Sequence, residues 1–417
     1  MNISVKINRL KEVQIVILFF VTIYFPPICQ INTVYIIGAI AWVYLLLRYN
    51  LLVVYINVRK MLIFSSVLLL TILYIFGRGY LYTGEMQRTV GGLVYLLVCV
   101  FPMIIAIIIE LKRMKASFDV FLKILIYAGT IQGWVAILAY MLKPVQAFLL
   151  RFLLYVMQQD ILEYWGAKRL YGWSNTLTYS MPVVQGIIGT LALIYALKKE
   201  RKYLITVPII WLSGILNART TLVVIGIGML CAIYVLQVFS VKNMKLLAGM
   251  LGTLFISYYL LMSVFVNTGL HGSWIVDGFS ELGALLRGEK IGYFTYLDVQ
   301  NNASAFLLPT GIDLFFGVGM LGTNSDIGYI HNIWNGGILL MLVILIFISA
   351  LVLDMNYRMK MSNENEQMRK GISWLMLGVF LVVNVKGNIF GLNEFMNLFL
   401  LMYSFICLVK KNPEMVT

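Results

Sequence analysis

The sequence predicts an all-α polytopic membrane protein with about twelve transmembrane helices and one large ordered exterior loop. Three observations predict it. Of the 417 residues, 61% are hydrophobic and only 12% charged, more apolar surface than a water-soluble domain needs. The apolar residues fall in repeated runs of spanning length, separated by short segments rich in Lys and Arg. Backbone polar groups inside a bilayer must be paired internally, so such runs form helices. The short alternating strands of a membrane barrel are not seen in the sequence.

The chain opens with Lys6, Arg9 and Lys11 ahead of an apolar run, as a signal peptide does. No small-residue cleavage site follows and another span comes next, which predicts an uncleaved first helix. The expected spans are 13–29, 32–47, 61–76, 93–109, 119–142, 178–197, 203–217, 220–239, 246–266, 332–353, 371–388 and 393–409. Pro26-Pro27 joins the first pair tightly, and Phe390-Gly391 joins the last.

Counting from an inner start, the inner loops carry Arg48, Arg59 and Lys60, then Lys112, Arg113 and Lys115, then Lys198, Lys199, Arg201 and Lys202. They continue with Lys242 and Lys245, with Arg358, Lys360, Arg369 and Lys370, and with the tail Lys410 and Lys411. The outer segments 77–92, 143–177 and 267–331 are longer, and their basic residues are sparser and mixed with acids. This alternation follows the positive-inside rule and predicts both termini cytoplasmic. The net charge of +14 therefore reports orientation, not nucleic-acid binding. The expected organisation is residues 1–266 as nine spans with outer segments 77–92 and 143–177, residues 267–331 as the large exterior loop, and residues 332–417 as three spans with a cytoplasmic tail. Cys29, Cys99, Cys231 and Cys407 are scattered through apolar runs without ligand spacing and read as small core residues.

Two outer segments read as surface helices. In 144–160, Val145, Phe148, Leu149, Phe152 and Val156 recur at helical spacing against Gln146, Arg151 and Gln159, the pattern of a helix lying at the membrane interface. In 274–287, Ile275, Phe279, Leu282 and Leu286 oppose Asp277, Ser280, Glu281 and Arg287. No internal repeat is evident, which argues against an inverted-repeat transporter.

The polar residues concentrate in 267–337, a stretch long enough to be functional, with His271 and His331 toward its two ends. Its Gly317-x-Gly-x-x-Gly322 spacing matches a dinucleotide fingerprint by letter, but the flanking strand and helix of a soluble βαβ unit are missing. Glycines that turn the backbone sharply are the better reading. Arg219, in Asn217-Ala-Arg-Thr-Thr221, either snorkels to headgroups or holds an anion, for which a guanidinium is well shaped. Arg169 and Arg287 lie on two further outer segments. The three arginines are either independent interface anchors or converge on one diphosphate. His331, five residues after Asp326, either satisfies a helix end or moves a proton. Lys386 near an outer helix end must face protein or water, with Glu394 as a structural partner. Lys123 lies close enough to an inner end to snorkel.

Three blocks, in order, resemble the bacterial polysaccharide polymerase and ligase superfamily. Arg169-Leu-Tyr-Gly-Trp-Ser-Asn175 is similar to its outer-loop Arg-Leu-x-Gly-x-x-x-Asn-Pro pattern. Ser213-Gly-Ile-Leu-Asn-Ala-Arg219-Thr-Thr is similar to its Ser-Arg-Gly turn. The run from Arg287 through Leu314-Phe-Phe-Gly-Val-Gly319 to Asp326-Ile-Gly-Tyr-Ile-His-Asn332 is similar to its large-loop ending. Asn175 lacks the following Pro, and Arg219 is followed by Thr, not Gly. The Asp-x-Gly-Tyr form resembles O-antigen or capsule polymerases of the Wzy type, while His331-Asn332 echoes the ligases.

The resemblance implies a GT-C-like, O-antigen ligase-like fold in a bacterial cytoplasmic membrane. It implies a glycosyltransferase that polymerises undecaprenyl-diphosphate-linked oligosaccharide repeats into O-antigen or capsule at the outer face, with a chain-length regulator protein as a partner. Neither nucleotide sugar nor metal is implied. The expected diphosphate ligands are Arg169, Arg219 and Arg287; the expected base is His331, then Asp326. Trp173, Asn175, Tyr329, Asn332 and Trp334 are the expected glycan contacts. The alternatives are a ligase that transfers finished glycan to an acceptor, and a flippase for the same lipid-linked sugar.

Overall fold

A computed structural model describes residues 9–27, 33–83, 88–154, 172–174, 179–218, 220–238, 244–268, 287, 306–320, 327–361 and 365–410. Every run expected to span has a helix at its position. In chain order these are α1 (Arg9–Tyr24), α2 (Thr33–Leu47), α3 (Tyr49–Tyr55), α4 (Val58–Thr83), α5 (Arg88–Tyr95), α6 (Phe101–Arg113), α7 (Phe118–Met141) and α8 (Lys143–Leu154). They continue with α9 (Ser180–Lys198), α10 (Thr206–Ile215), α11 (Thr220–Leu236), α12 (Met244–Thr268), α13 (Ile312–Phe316), α14 (Gly328–Met361), α15 (Glu366–Val383) and α16 (Glu394–Tyr403). No named strand occurs among the described residues; one isolated bridge pairs Ile56 with Val409.

Length separates these helices into two groups. Among the described residues, five segments are long and apolar enough to cross a membrane: Val58–Tyr82, Val90–Arg113, Phe118–Met141, Ser180–Lys198 and Gly328–Met361. A sixth arises if α2 and α3, bent by 84°, count as one span. Apart from α12, whose 25 residues carry one charge, Lys245, the remaining expected spans are shorter or more polar. The 10 residues of α10 rise only about 15 Å, half of a hydrocarbon core of about 30 Å. About twelve helical runs are therefore present, but not all have spanning length.

Local sequence explains the helix ends. Ser117 caps α7 by accepting from Val120 N at 3.3 Å, and Asn365 caps α15 by accepting from Gln367 N at 3.0 Å. Asn393 caps α16 through Met396 N at 2.9 Å. Each supplies an acceptor to an otherwise unsatisfied N–H. Between α5 and α6 the chain runs through one π-helical turn, Leu96–Val100. Pro102 follows and has no N–H to give to the carbonyl four residues back, Val98. The Trp42 indole on α2 donates to that Val98 oxygen at 2.8 Å instead.

The core gathers around α9, 94% of whose apolar window is buried inside the protein. It packs against α7, α10, α11 and α16. Small residues permit the approach: a Cβ on Gly189 would sit 2.3 Å from the Trp211 ring, and one on Gly228 would sit 2.1 Å from Thr190 Oγ1. Close helix packing of this kind is how apolar helices associate without a hydrophobic drive from lipid.

Of the helix expected over 144–160, the described part is helical as α8, with Leu149 buried and Phe148 exposed; residues 155–160 lie outside the described residues. Lys123 does not merely snorkel. It pairs with Glu200, which also binds Lys202 at 2.8 Å. These two cations hold the Glu200 carboxyl down at about 2, the hydrogen bond from Lys123 first. Segments expected on the same side of the membrane do meet: Lys60 pairs with Asp354, and Lys199 pairs with Asp119 at 3.0 Å.

Candidate functional site

The glycine-rich end of the polar stretch folds back onto the bundle at the end predicted to face outward. Asp313 lies on α13, and its backbone oxygen accepts from Gly317 N at 2.8 Å. Arg78 on α4 reaches across with Nη2 2.9 Å from Asp313 Oδ1 and Nε 2.9 Å from Gly317 O. Tyr82 donates to the same Asp313 oxygen, and Tyr74 donates to Phe316 O at 2.8 Å. From the other side, Trp334 O on α14 accepts from Val318 N at 2.8 Å and from Gly319 N at 3.1 Å.

The third partner is a break in α14. Gly336 (φ −156°, ψ 20°) and Gly337 (φ 71°, ψ −175°) leave helical geometry within Gly328–Met361. Gly337 holds a positive φ that side chains avoid, and a Cβ there would meet Phe315 O at 2.0 Å. Gly319, at φ 78°, lies so close to α4 that a Cβ would meet Gly79 N at 2.0 Å. The Gly-x-Gly pair thus serves backbone turning and close approach. The third glycine of the pattern, Gly322, lies outside the described residues.

His331 stands in the first turn of α14, half-buried, its N–H donating to Ile327 O at 3.0 Å. Asn332 and Asn335 on the same helix are buried, and Asn335 Oδ1 has no hydrogen-bond partner among the described residues. The base of this turn packs on the loop after α15. Tyr329 N donates to Asn384 O at 3.3 Å, and Asn384 Oδ1 accepts from Ile389 N at 3.3 Å. Lys386 lies half-buried in this loop.

A second polar cluster adjoins it at the head of α16. Glu394 is 1% exposed and accepts from the hydroxyls of Ser174 and Ser180. Trp173 N donates to Gln132 Oε1 at 3.2 Å. The loop after α15 links the two clusters, because Gly387 packs against the Tyr179 ring just before α9.

The predicted site residues divide accordingly. Tyr329, His331, Asn332 and Trp334 come together at the start of α14. Tyr329 donates to Leu381 O at 2.7 Å and Trp334 Nε1 to Leu307 O at 2.9 Å, so both polar tips hold the scaffold. Trp173 is half-buried, donates to Pro27 O at 3.0 Å and packs its ring 6.3 Å from Phe20. Arg287 is in a turn with its side chain exposed. Arg169, Asn175, Arg219 and Asp326 lie outside the described residues, as do His271 and the helix expected over 274–287 apart from Arg287.

Sequence reasoning passed over Arg78, Tyr74 and Tyr82. Their spacing of four on α4 puts them on one helix face, a signal hidden because the outer end of that span reads as an ordinary aromatic belt. Glu394 was singled out only as a partner for Lys386, and nothing in spacing joins it to Ser174 and Ser180. Among the described residues no three of His, Cys, Asp and Glu gather in a way that would hold a metal ion. Chemically, the end of the bundle offers a half-buried imidazole, carboxamides and a loop hydrogen-bonded to two helices.

Together these features define a nearly all-helical protein with several membrane-length apolar helices and a loop clamped over one polar end. No protein-family model matches the chain, and no curated protein matches it.

Proposed function

We propose that the chain is a polysaccharide polymerase, a glycosyltransferase that joins lipid-diphosphate-linked oligosaccharide repeats at the outer face of a bacterial cytoplasmic membrane. In this reading all twelve runs cross or enter the bilayer, and both termini are cytoplasmic. The observation that supports it is the clamp of Gly317–Gly319 between Arg78 on α4 and Trp334 on α14. It ties the long polar stretch to the helix turn that carries His331, where a loop-borne substrate pocket would need a rigid floor.

The reaction balances without a further reactant. An acceptor sugar hydroxyl attacks C1 of the donor sugar, forming the new glycosidic bond as the C1–O bond to diphosphate breaks. The electron pair leaves on the diphosphate, and the hydroxyl proton passes to a base. His331 takes that proton, with Asp326 the second choice. Arg169, Arg219 and Arg287 face the growing diphosphate charge, which rewards groups that bind the transition state more tightly than the ground state.

The deciding experiment supplies the purified chain, in liposomes, with lipid-diphosphate-linked repeat units. A ladder of lengthening glycan on the carrier is the expected product. Movement of intact repeat units across the bilayer with no new linkage would replace this reading with a flippase. Transfer of preformed polymer to an acceptor, without elongation, would replace it with a ligase.

A further inference from the structure

At the opposite end of the bundle a cavity of about 280 Å³ opens where α6, α7, α14 and the π-turn after α16 meet. Three cations line it, Lys112, Arg358 and Lys410, brought from three distant parts of the chain, and among the described residues no acidic side chain does. We propose that this cavity binds a phosphate-bearing anion, and the assignment does not rest on the polymerase reading.

The neighbouring acids are already engaged. Glu110 accepts from Arg113 at 2.7 Å and from Tyr44. Asp354 pairs with Lys60, accepts from Tyr403 at 3.2 Å and forms a longer ion pair with Arg358 at 3.9 Å, so it is shared among three partners. Lys112 Nζ sits 4.5 Å from the centroid of the Phe405 ring. A cation–π contact holds an ammonium by its charge and does not consume its N–H donors.

The positive end of α7, a helix of 24 residues, adds its share at Ser117 and Phe118, both in the lining. Lys112 and Arg358 stand in the last turns of their helices, where cations are favoured singly. That preference explains each residue's place, but not why the two meet Lys410 in one cavity whose described wall holds no acid. Like charges gathered around a shared space repel unless an anion occupies it. Met359, Ile406 and Val409 give the remaining wall an apolar character. The volume falls just under that of drug-sized ligand pockets, about 300–1,000 Å³, and suits a headgroup.

Two sources offer this chemistry, an anionic lipid headgroup and free phosphate. The test uses the full chain in neutral detergent, titrated with inorganic phosphate and, separately, with phosphatidylglycerol against phosphatidylcholine. Thermal unfolding and lipid retention in native mass spectrometry are the readouts. A saturable rise in Tm is expected with phosphate or with phosphatidylglycerol, and not with phosphatidylcholine. Which of the two acts identifies the source. Lys410→Gln should weaken the response about tenfold, the worth of one charge-assisted hydrogen bond. Adding Lys112→Gln and Arg358→Gln should abolish it. Lys410 is exposed, so its single variant keeps the test available if the triple variant fails to accumulate. No saturable response to either ligand, or equal responses in wild type and variants, would overturn the assignment.

Discussion

Arg78 Nη2 and Asp313 Oδ1 are 2.9 Å apart across 235 positions of sequence. The guanidinium also donates to Gly317 O, so one side chain fixes both a carboxylate and the carbonyl of a glycine turn. Each partner is about one-quarter exposed, 23% and 24%, which screens the charge but leaves the hydrogen bonds largely sheltered. Replacing Arg78 with Gln should cost about 1–3 kcal/mol, the range for stranding buried acceptors. Thermal unfolding of Arg78→Gln, Asp313→Asn and the double variant measures it. Their effects should be less than additive; strict additivity would show that the pair is not coupled.

Gly319→Ala tests the same clamp without touching charge. The new methyl would meet Gly79 N at 2.0 Å while the backbone stays at a positive φ. Overpacking and a left-handed alanine each cost of order 1–3 kcal/mol. The loop should lift from α4, and limited proteolysis should cut within 306–320 sooner than in the wild type. An unchanged cleavage pattern would mean that the approach is not needed to seat the loop.

His331→Gln keeps a hydrogen-bonding side chain of similar reach and removes the imidazole. If His331 takes the acceptor proton, polymerisation in liposomes should slow about 10²–10⁴-fold while donor retention is unchanged. A near-normal rate would transfer the role to Asp326 or to no residue at all.

Glu394→Ala removes the acceptor shared by Ser174 and Ser180 at a site 1% exposed. Loss of about 1–3 kcal/mol is expected, read as a lowered Tm, with Glu394→Gln restoring part of it. Equal Tm in all three proteins would show that the carboxylate does not order the 172–174 segment.

Acid should loosen the predicted inner face through Glu200. Its folded pKa, about 2, lies below the ordinary 4.5, so its ion pairs stabilise the fold above the ordinary value. That contribution fades as pH falls from about 4.5 toward 2. Glu200→Gln should flatten the fall in Tm through that window. An identical slope in both proteins would remove Glu200 from the acid response.

Helix placement was legible because apolar runs must be helical in lipid, and every expected run has a helix at its position, whereas α3 and α13 fall in segments expected as loops. Which helices have spanning length was less so. Apolarity looks alike whether lipid or protein surrounds a run, as in α10, whose 10 residues are largely buried. The glycine pair was read correctly as a turning element, since Gly317 and Gly319 both hold positive φ. Its partners were not legible, because Arg78 and Asp313 are joined only by tertiary folding. The resemblance implied Trp173, Tyr329 and Trp334 as glycan contacts; that each also gives its polar tip to a backbone carbonyl was not legible in the sequence.

The enclosure of α9 bears on how the chain is made and how it can vary. A segment of this apolarity is suited to enter a bilayer, but in the folded protein 94% of its apolar window is buried against other helices. A helix that enters lipid first would exchange lipid for protein contacts once α7, α10, α11 and α16 have gathered round it. Maturation of the bundle then waits on its last helix, and truncation before α16 should leave α9 open to labelling by lipid-soluble reagents. Drift in its sequence is limited by volume more than by hydropathy: Thr190 and Gln185 are accommodated at full burial, whereas one added methyl at Gly189 meets the Trp211 ring.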